Sequence, residues 1–244
     1  MSTLDLSYLN KLSLKNQVLE LNQINILWKN FNINQRIDWI FEKLPKNIVM
    51  SSSFGLHSVV LLHLLVTADP NIPVIFIDTG YLFLETYQYV DLLTKALNLN
   101  IKIFRSRLSP AWQECRYGKL WEQGVSGLEK YNYINKIKPM KTALSELMAQ
   151  SWLSGLRYDQ SKFRANLKYI SIQNNIFKVL PIIDWSVEKL KKYISKNNLL
   201  SHPLTNNGYV SLGDIHTTHK YVSGMSSDDT RFFGLQRECG LHNK

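Results

Sequence analysis

The sequence predicts an α/β protein in which helices flank a doubly wound, mostly parallel β-sheet. Short apolar runs rich in β-branched residues alternate with longer segments of helical periodicity between residues 46 and 200. Such alternation is the sequence sign of a parallel sheet that is covered on both faces. The hydrophobic fraction of 45% is that of a globular protein, and no apolar run approaches the roughly 20 residues that a membrane span needs.

Helices are predicted on the N-terminal side of the sheet. Apolar side chains such as Ile26 and Ile37 recur there at helical spacing, and Pro45 ends the pattern. We therefore expect one compact unit with three parts, which are a helical segment at 1–45, an α/β domain at 46–200 and a C-terminal segment at 201–244.

Five strands and three long helices are predicted along the middle of the chain. The strands are expected at 48–50, 74–77, 101–104, 151–156 and 177–180. The helices are expected at 56–68, 83–97 and 185–197, with Asp184 or Ser186 as the cap of the last one. Residues 109–150 contain helix-like pieces. The chain after residue 200 is polar and rich in turns, so we predict a mobile C-terminal tail with little regular structure.

Composition restricts the partners and the compartment. The net charge of +10 favours a polyanionic partner, either nucleic acid or a multiply phosphorylated small molecule, although abundant Lys, Asn and Ile can also reflect a genome-wide bias. No contiguous basic tract is present, which argues against nucleic acid. Two cysteines cannot form a disulfide framework and the N-terminus lacks a secretory signal pattern, so we expect a cytoplasmic protein without a membrane partner.

A serine-rich turn at 51–58 follows the first predicted strand and opens a helix. Free N–H groups and the helix dipole favour an anion at such a position, and Gly55 lets the backbone approach a ligand closely. Thr79 and Arg157 end neighbouring strands at the same edge of the sheet, where ligands bind in open α/β folds. The turn therefore predicts an anion site, with a simple helix cap as the alternative.

A second candidate for chemistry is the thiol of Cys239, five residues before the last one. Arg237 and His242 flank it, and two potential cations favour the nucleophilic thiolate form of a cysteine. A chain terminus is usually mobile, so this thiol could move onto a bound substrate and away again. The alternative is a surface cysteine without a function.

A series of short motifs runs along nearly the whole chain. In order they include Ser51-Ser52-Ser53-Phe54-Gly55, Asp78-Thr79-Gly80, Asn135-Lys136, Gly155-Leu156-Arg157, His202-Pro203-Leu204, Gly213-Asp214 and Glu238-Cys239-Gly240-Leu241-His242. Their ordered set resembles the phosphoadenylyl sulfate (PAPS) reductase family, a branch of the adenine-nucleotide α-hydrolase superfamily. ATP-cleaving members of that superfamily carry Asp where this chain has His57, which argues against an ATP pyrophosphatase.

The resemblance implies reduction of the sulfuryl group of PAPS to sulfite. The substrate carries roughly −4 in charge, so a cluster of cations should hold it. Cys239, Arg237 and His242 are the expected catalytic residues. The expected substrate-binding residues are Ser51, Ser52, Ser53, Phe54, Gly55, Ser58, Asp78, Thr79, Gly80, Lys136, Arg157, Arg164 and Arg231.

The family also implies the partners. Attack of the Cys239 thiolate on the sulfate sulfur is expected to convert this cysteine to an S-sulfonate. One thiol cannot supply both electrons, so thioredoxin or glutaredoxin is expected to reduce that S-sulfonate. Cys115 lies outside the family motifs, and we expect it to be a buried structural thiol. Members of the family often form homodimers, so a homodimer is expected as well.

Relatives that reduce adenylyl sulfate hold an iron–sulfur cluster with four cysteines. In this chain those positions fall at Asn132, Tyr133, Asp214 and Thr217, so no cluster and a preference for PAPS are expected. An adenylyl sulfate reductase remains the alternative within the family. Three departures from the family pattern, which could weaken a phosphate contact or alter carrier docking, are Tyr158, Phe163 and His219.

Overall fold

The computed structural model describes residues 9, 12–161, 163–226, 228–235 and 240–241. Its centre is a six-stranded sheet with the order β3-β2-β1-β4-β6-β5. The strands are β1 (Ile48–Ser51), β2 (Pro73–Asp78), β3 (Asn100–Arg105), β4 (Ser151–Ser154), β5 (Ile170–Gln173) and β6 (Ile176–Val179). All neighbouring strands are parallel except β5, which pairs with β6 in the antiparallel sense at one edge. The predicted fold class is confirmed.

Helices cover the sheet. They are α1 (Leu14–Asn30), α2 (Ile33–Lys43), α3 (Val59–Ala68), α4 (Leu84–Leu97), α5 (Pro110–Tyr117), α6 (Gly124–Asn132), α7 (Lys138–Glu146) and α8 (Val187–Lys196). A single π-helical turn, Tyr133–Ile137, joins α6 to α7. Seven side chains of α3 are buried, because this helix packs within the main core rather than on its surface.

The N-terminal helices share that core with the sheet, through side chains such as Trp28 and Ile40. Arg36 on α2 is buried and binds both carboxylate oxygens of Asp184 at 2.6 and 2.9 Å. Asp184 therefore serves as an ion-pair partner. The cap of α8 is Ser186, whose hydroxyl accepts a hydrogen bond from the Lys189 N–H.

Several predicted boundaries were wrong. The sequence suggested a helix from residue 56, but α3 starts at Val59 because residues 54–58 form a turn. The fourth strand ends at Ser154, which leaves the next three residues free to line a cavity. Strand β5 was missed, since only its pairing with β6 makes this short segment a strand.

Candidate active site

A cavity of about 450 Å³ lies at the carboxyl ends of β1 and β4. The strand order reverses between these two strands, and open α/β sheets bind ligands at such a point. Among the predicted substrate-binding residues, those that line the cavity are Ser51, Ser52, Ser53, Gly55, Ser58, Thr79, Lys136, Arg157, Arg164 and Arg231. Phe54, Asp78 and Gly80 do not line it.

The turn at 51–58 is held by its own hydrogen bonds. The Ser52 hydroxyl accepts from the Phe54 N–H at 3.1 Å, and the Ser58 hydroxyl donates to the Gly55 carbonyl at 2.8 Å. The indole N–H of Trp152 donates to the Ser51 hydroxyl at 2.8 Å. These contacts fix the turn before any ligand binds, which lowers the entropic cost of binding.

The side chain of Phe54 belongs to the core and not to the ligand cavity. It is 0% exposed and meets the ring of Phe76 edge-on at 5.3 Å. Its backbone is in the left-handed region, with φ of 49°, so the chain turns the phenyl ring inward. A Cβ added at Gly55 would meet only the Ser53 hydroxyl, at 3.7 Å, so this glycine leaves open space in the cavity.

Asp78 and Gly80 shape a turn behind the cavity. The Asp78 carboxylate accepts from the Gly80 N–H at 2.8 Å and from the Tyr87 hydroxyl at 2.7 Å. Gly80 has φ of 75° and lies close to Pro110, so no other residue fits easily there. Their effect is to orient Thr79, the member of the motif that reaches the cavity.

Arg157, Arg164 and His57 form the basic part of the cavity next to the turn. Arg157 is 6% exposed and its Nε lies 3.1 Å from Asp159, while Arg164 bonds to Gln160. Burial, followed by the nearby charges of Arg157 and Lys191, lowers the pKa of His57 to about 4. His57 is therefore a neutral hydrogen-bonding group at pH 7. Sequence reasoning noted its position in the turn but did not assign it to the site.

The opposite wall contains a buried ion pair. The Lys136 ammonium lies 2.5 Å from a carboxylate oxygen of Asp214, which is 0% exposed, and Thr79 donates to the other oxygen at 2.5 Å. Burial by itself would raise the pKa of the Asp214 carboxyl, but Lys136 and Thr79 hold it below its usual value. Asp214 was not predicted as a site residue, although it belongs to one of the family motifs.

Residues near the C-terminus complete the cavity. Arg231 and Phe232 line it, and the Arg231 guanidinium donates to the Leu212 carbonyl at 2.9 Å. Leu241 also lines it and packs against the core cluster that contains Met140 and Trp152. The predicted catalytic residues lie outside the described residues, and they are Arg237, Cys239 and His242.

Cys115 is exposed, so the expectation of a buried structural thiol was wrong. Gln113, two positions earlier on α5, is the buried side chain of this helix. Successive helical residues are about 100° apart, so Cys115 lies about 200° around the helix from Gln113 and faces away from the core. Three residues depart from the family pattern, and none of them lines the cavity: Tyr158, Phe163 and His219. Phe163 and His219 are also exposed.

The described part of the chain has neither a candidate metal centre nor a candidate membrane span. No group of three or more His, Cys, Asp or Glu side chains there could hold a metal ion. None of its helices combines the length and the apolar character needed to cross a lipid bilayer.

The fold and the cavity together define an α/β protein with a basic ligand site at the reversal of its strand order. Residues 47–220 match the model of the phosphoadenosine phosphosulfate reductase domain. The chain is 56% identical to a phosphoadenosine 5'-phosphosulfate reductase of Buchnera aphidicola over 93% of both chains. It is 54% identical to the Salmonella newport reductase over 99% of both chains.

Solved structures agree. A PAPS reductase from Candida auris in complex with phosphate superposes with a TM-score of 0.73 at 26% identity, covering 86% of this chain and 98% of that one. An FMN adenylyltransferase from Candida glabrata shares the fold alone, with a TM-score of 0.58 at 17% identity over 90% of this chain and 72% of that one. The chain belongs to the phosphoadenosine phosphosulfate reductase family, as its motifs predicted, and is an oxidoreductase.

Proposed function

We propose that this protein reduces PAPS to sulfite and adenosine 3',5'-bisphosphate in the assimilation of sulfate. The observation that carries the proposal is the basic cavity at the carboxyl ends of β1 and β4. Arg157 and Arg164 lie beside its preformed turn, and Leu241 of the family's Cys-Gly-Leu-His motif lines the same cavity. These positions support a site at which the substrate meets the nucleophile that we propose, Cys239.

The turn and the cations hold the nucleotide. Serine hydroxyls and backbone N–H groups of residues 51–58 suit a phosphate, and Arg157 and Arg164 can each grip an oxyanion through parallel hydrogen bonds. His57 remains neutral at pH 7, so it can offer the nucleotide one donor nitrogen and one acceptor nitrogen.

Cys239 supplies the nucleophile. Its thiolate attacks the sulfur of PAPS, an S–S bond forms, and the bond between sulfur and the phosphate oxygen breaks. Adenosine 3',5'-bisphosphate leaves with that electron pair, and Cys239 becomes an S-sulfonate. Leu241 lines the cavity and two residues of chain span at most about 7 Å, which supports Cys239 as the residue that attacks the substrate. Arg237 and His242 stabilise the thiolate and the developing charge.

A dithiol carrier, thioredoxin or glutaredoxin, completes the cycle. One carrier thiolate attacks the Cys239 sulfur and expels sulfite, and its second thiol resolves the mixed disulfide. The two electrons of the reduction come from the carrier. No iron–sulfur cluster takes part in the proposal, because the four ligand positions hold Asn132, Tyr133, Asp214 and Thr217 instead of cysteines. A cytoplasmic homodimer completes the proposal.

The test measures sulfite release from PAPS and from adenylyl sulfate with reduced thioredoxin. Wild type and Cys115→Ser should be active with PAPS, and Cys239→Ser should be inactive. Without thioredoxin, mass spectrometry should find one sulfonate on Cys239. Equal activity with adenylyl sulfate would overturn the substrate preference, and a sulfonate elsewhere would overturn the nucleophile.

A further inference from the structure

The wall of the cavity opposite the turn is organised around one buried carboxylate. Asp214 is 0% exposed, and its two oxygens contact Lys136 and Thr79. It thereby joins the end of β2 to the π-helical turn, and a β-bridge to Leu82 fixes its own backbone. A buried carboxylate is costly unless it is paired, so Asp214 and Lys136 depend on each other.

The ammonium of Lys136 has few directions open to it. Asp214 takes one side, while the rings of Tyr131 and Phe232 lie at 5.4 and 5.0 Å from the nitrogen. An aromatic face attracts a cation but accepts no strong hydrogen bond. Lys136 is 13% exposed and lines the cavity, so the side that remains open faces the ligand space.

The histidine and tyrosine side chains around the pair are uncharged at pH 7. Burial lowers the pKa of His216 to about 4 and raises that of Tyr131 well above its usual value. Burial also raises the pKa of Tyr81 and of Tyr87, which donate to Glu114 and Asp78 respectively. The charged side chains that line the cavity at this wall are Lys136, Asp214 and Arg231, and the Arg231 guanidinium lies 5.1 Å from the ring of Phe232.

We propose that Asp214 is a positioning residue, which holds the Lys136 ammonium at the cavity wall so that it binds an anionic group of the nucleotide. This inference rests on the proposed function, since it takes a sulfated, phosphorylated nucleotide as the ligand. Asp214 lines the cavity but is 0% exposed, so we expect it to act through the lysine rather than by contact with the substrate. It acts by holding the lysine and by balancing its charge while the cavity is empty.

The structure offers a matched control. Arg36 and Asp184 form a second ion pair with a buried cation, and neither residue lines the cavity. In a Cys239→Ser background, which blocks turnover, Asp184→Asn should lower the thermal unfolding midpoint. The nucleotide affinity should stay within about twofold of the affinity of the Cys239→Ser protein.

The experiment measures the affinity for PAPS and for adenosine 3',5'-bisphosphate by calorimetry in a Cys239→Ser background, which blocks turnover. Asp214→Asn and Lys136→Met should each weaken PAPS binding by about tenfold or more, since a charged hydrogen bond is lost. Weaker binding of both ligands assigns Lys136 to a phosphate, whereas a loss with PAPS alone assigns it to the sulfate. The thermal unfolding midpoint of each of these proteins is measured as well, to show whether a variant is folded.

The double variant Lys136→Met/Asp214→Asn separates positioning from folding. Removing both charges should recover part of the unfolding midpoint, while the affinity for PAPS stays low. Affinity restored in the double variant, or unchanged in a folded Asp214→Asn, would overturn the inference. Failure of the background protein itself to bind either nucleotide would instead sink the proposed function.

Discussion

The cavity has one wall made by the turn at 51–58 and another made by described residues of the C-terminal segment, and different forces hold them. The turn lies between β1 and α3, and Phe54 anchors it in the main core. The C-terminal segment has no long helix or strand among its described residues beyond 200. The buried side chains that hold it include His202, Asp214 and Phe232, and Leu204 and Leu212 pack in a small cluster with Leu56.

This difference predicts how each wall fails. A wall built on the core should lose its geometry only when the whole domain unfolds. A wall held by a few buried side chains should be disturbed locally, so that the loss of catalytic activity exceeds the loss of global stability.

The largest expected effect is on the turn. Phe54→Ala should lower the free energy of unfolding by about 3–5 kcal/mol, because a fully buried ring is replaced by a cavity. Urea unfolding followed by circular dichroism measures this. Phe233→Ala is the control, since Phe233 has a similar backbone (φ of 57°) but is 45% exposed. Phe233→Ala should lower the free energy of unfolding by less than about 1 kcal/mol. An equal loss in the two variants would contradict the claim that Phe54 anchors the turn in the core.

A smaller effect is expected from pH at the anchor His202. This side chain is 1% exposed, accepts from the Leu204 N–H at 3.1 Å and lies 3.2 Å from the Thr86 hydroxyl. Burial lowers its pKa to about 4, against about 6.5 in an unfolded chain. The unfolded state therefore binds more protons between these values, and stability should fall as the pH is lowered from about 6.5 to 4.

Thermal unfolding of wild type and His202→Gln between pH 7.5 and 4.5 tests this anchor. The midpoint of the wild type should fall by several degrees, and that of the variant should fall less. His57 and His216 also have a pKa lowered to about 4, so part of the dependence of the unfolding midpoint on pH should remain in the variant. An unchanged slope in the variant would mean that His202 does not hold the segment.

The smallest effect is expected at Leu241. Leu241→Ala removes part of a partly buried apolar contact, worth about 1 kcal/mol, so kcat/KM for PAPS should fall by about fivefold. In a Cys115→Ser background, Cys239 should also react faster with iodoacetamide. Leu235→Ala, at a side chain 53% exposed in the same segment, should change neither rate. A similar change of kcat/KM in both variants would argue that the packing of Leu241 in the cavity does not matter for catalysis.

Local patterns made much of the fold predictable. Strands β1 and β2 are short apolar runs, and β3 alternates apolar with polar residues. Such signals need no distant partner. The turn at 51–58 was predictable for the same reason, because serines and a glycine follow directly on a strand. Strand β5 was not, since its register exists only against β6.

The sequence by itself determined the fold class, the family and the kinds of side chain available to an anionic nucleotide, because these depend on local composition and on the order of motifs. The tertiary structure decided that Phe54 serves the core, that Cys115 is exposed and that Lys136 faces Asp214. Burial and ion pairing join residues that are far apart along the chain, and no local pattern encodes which of them meet.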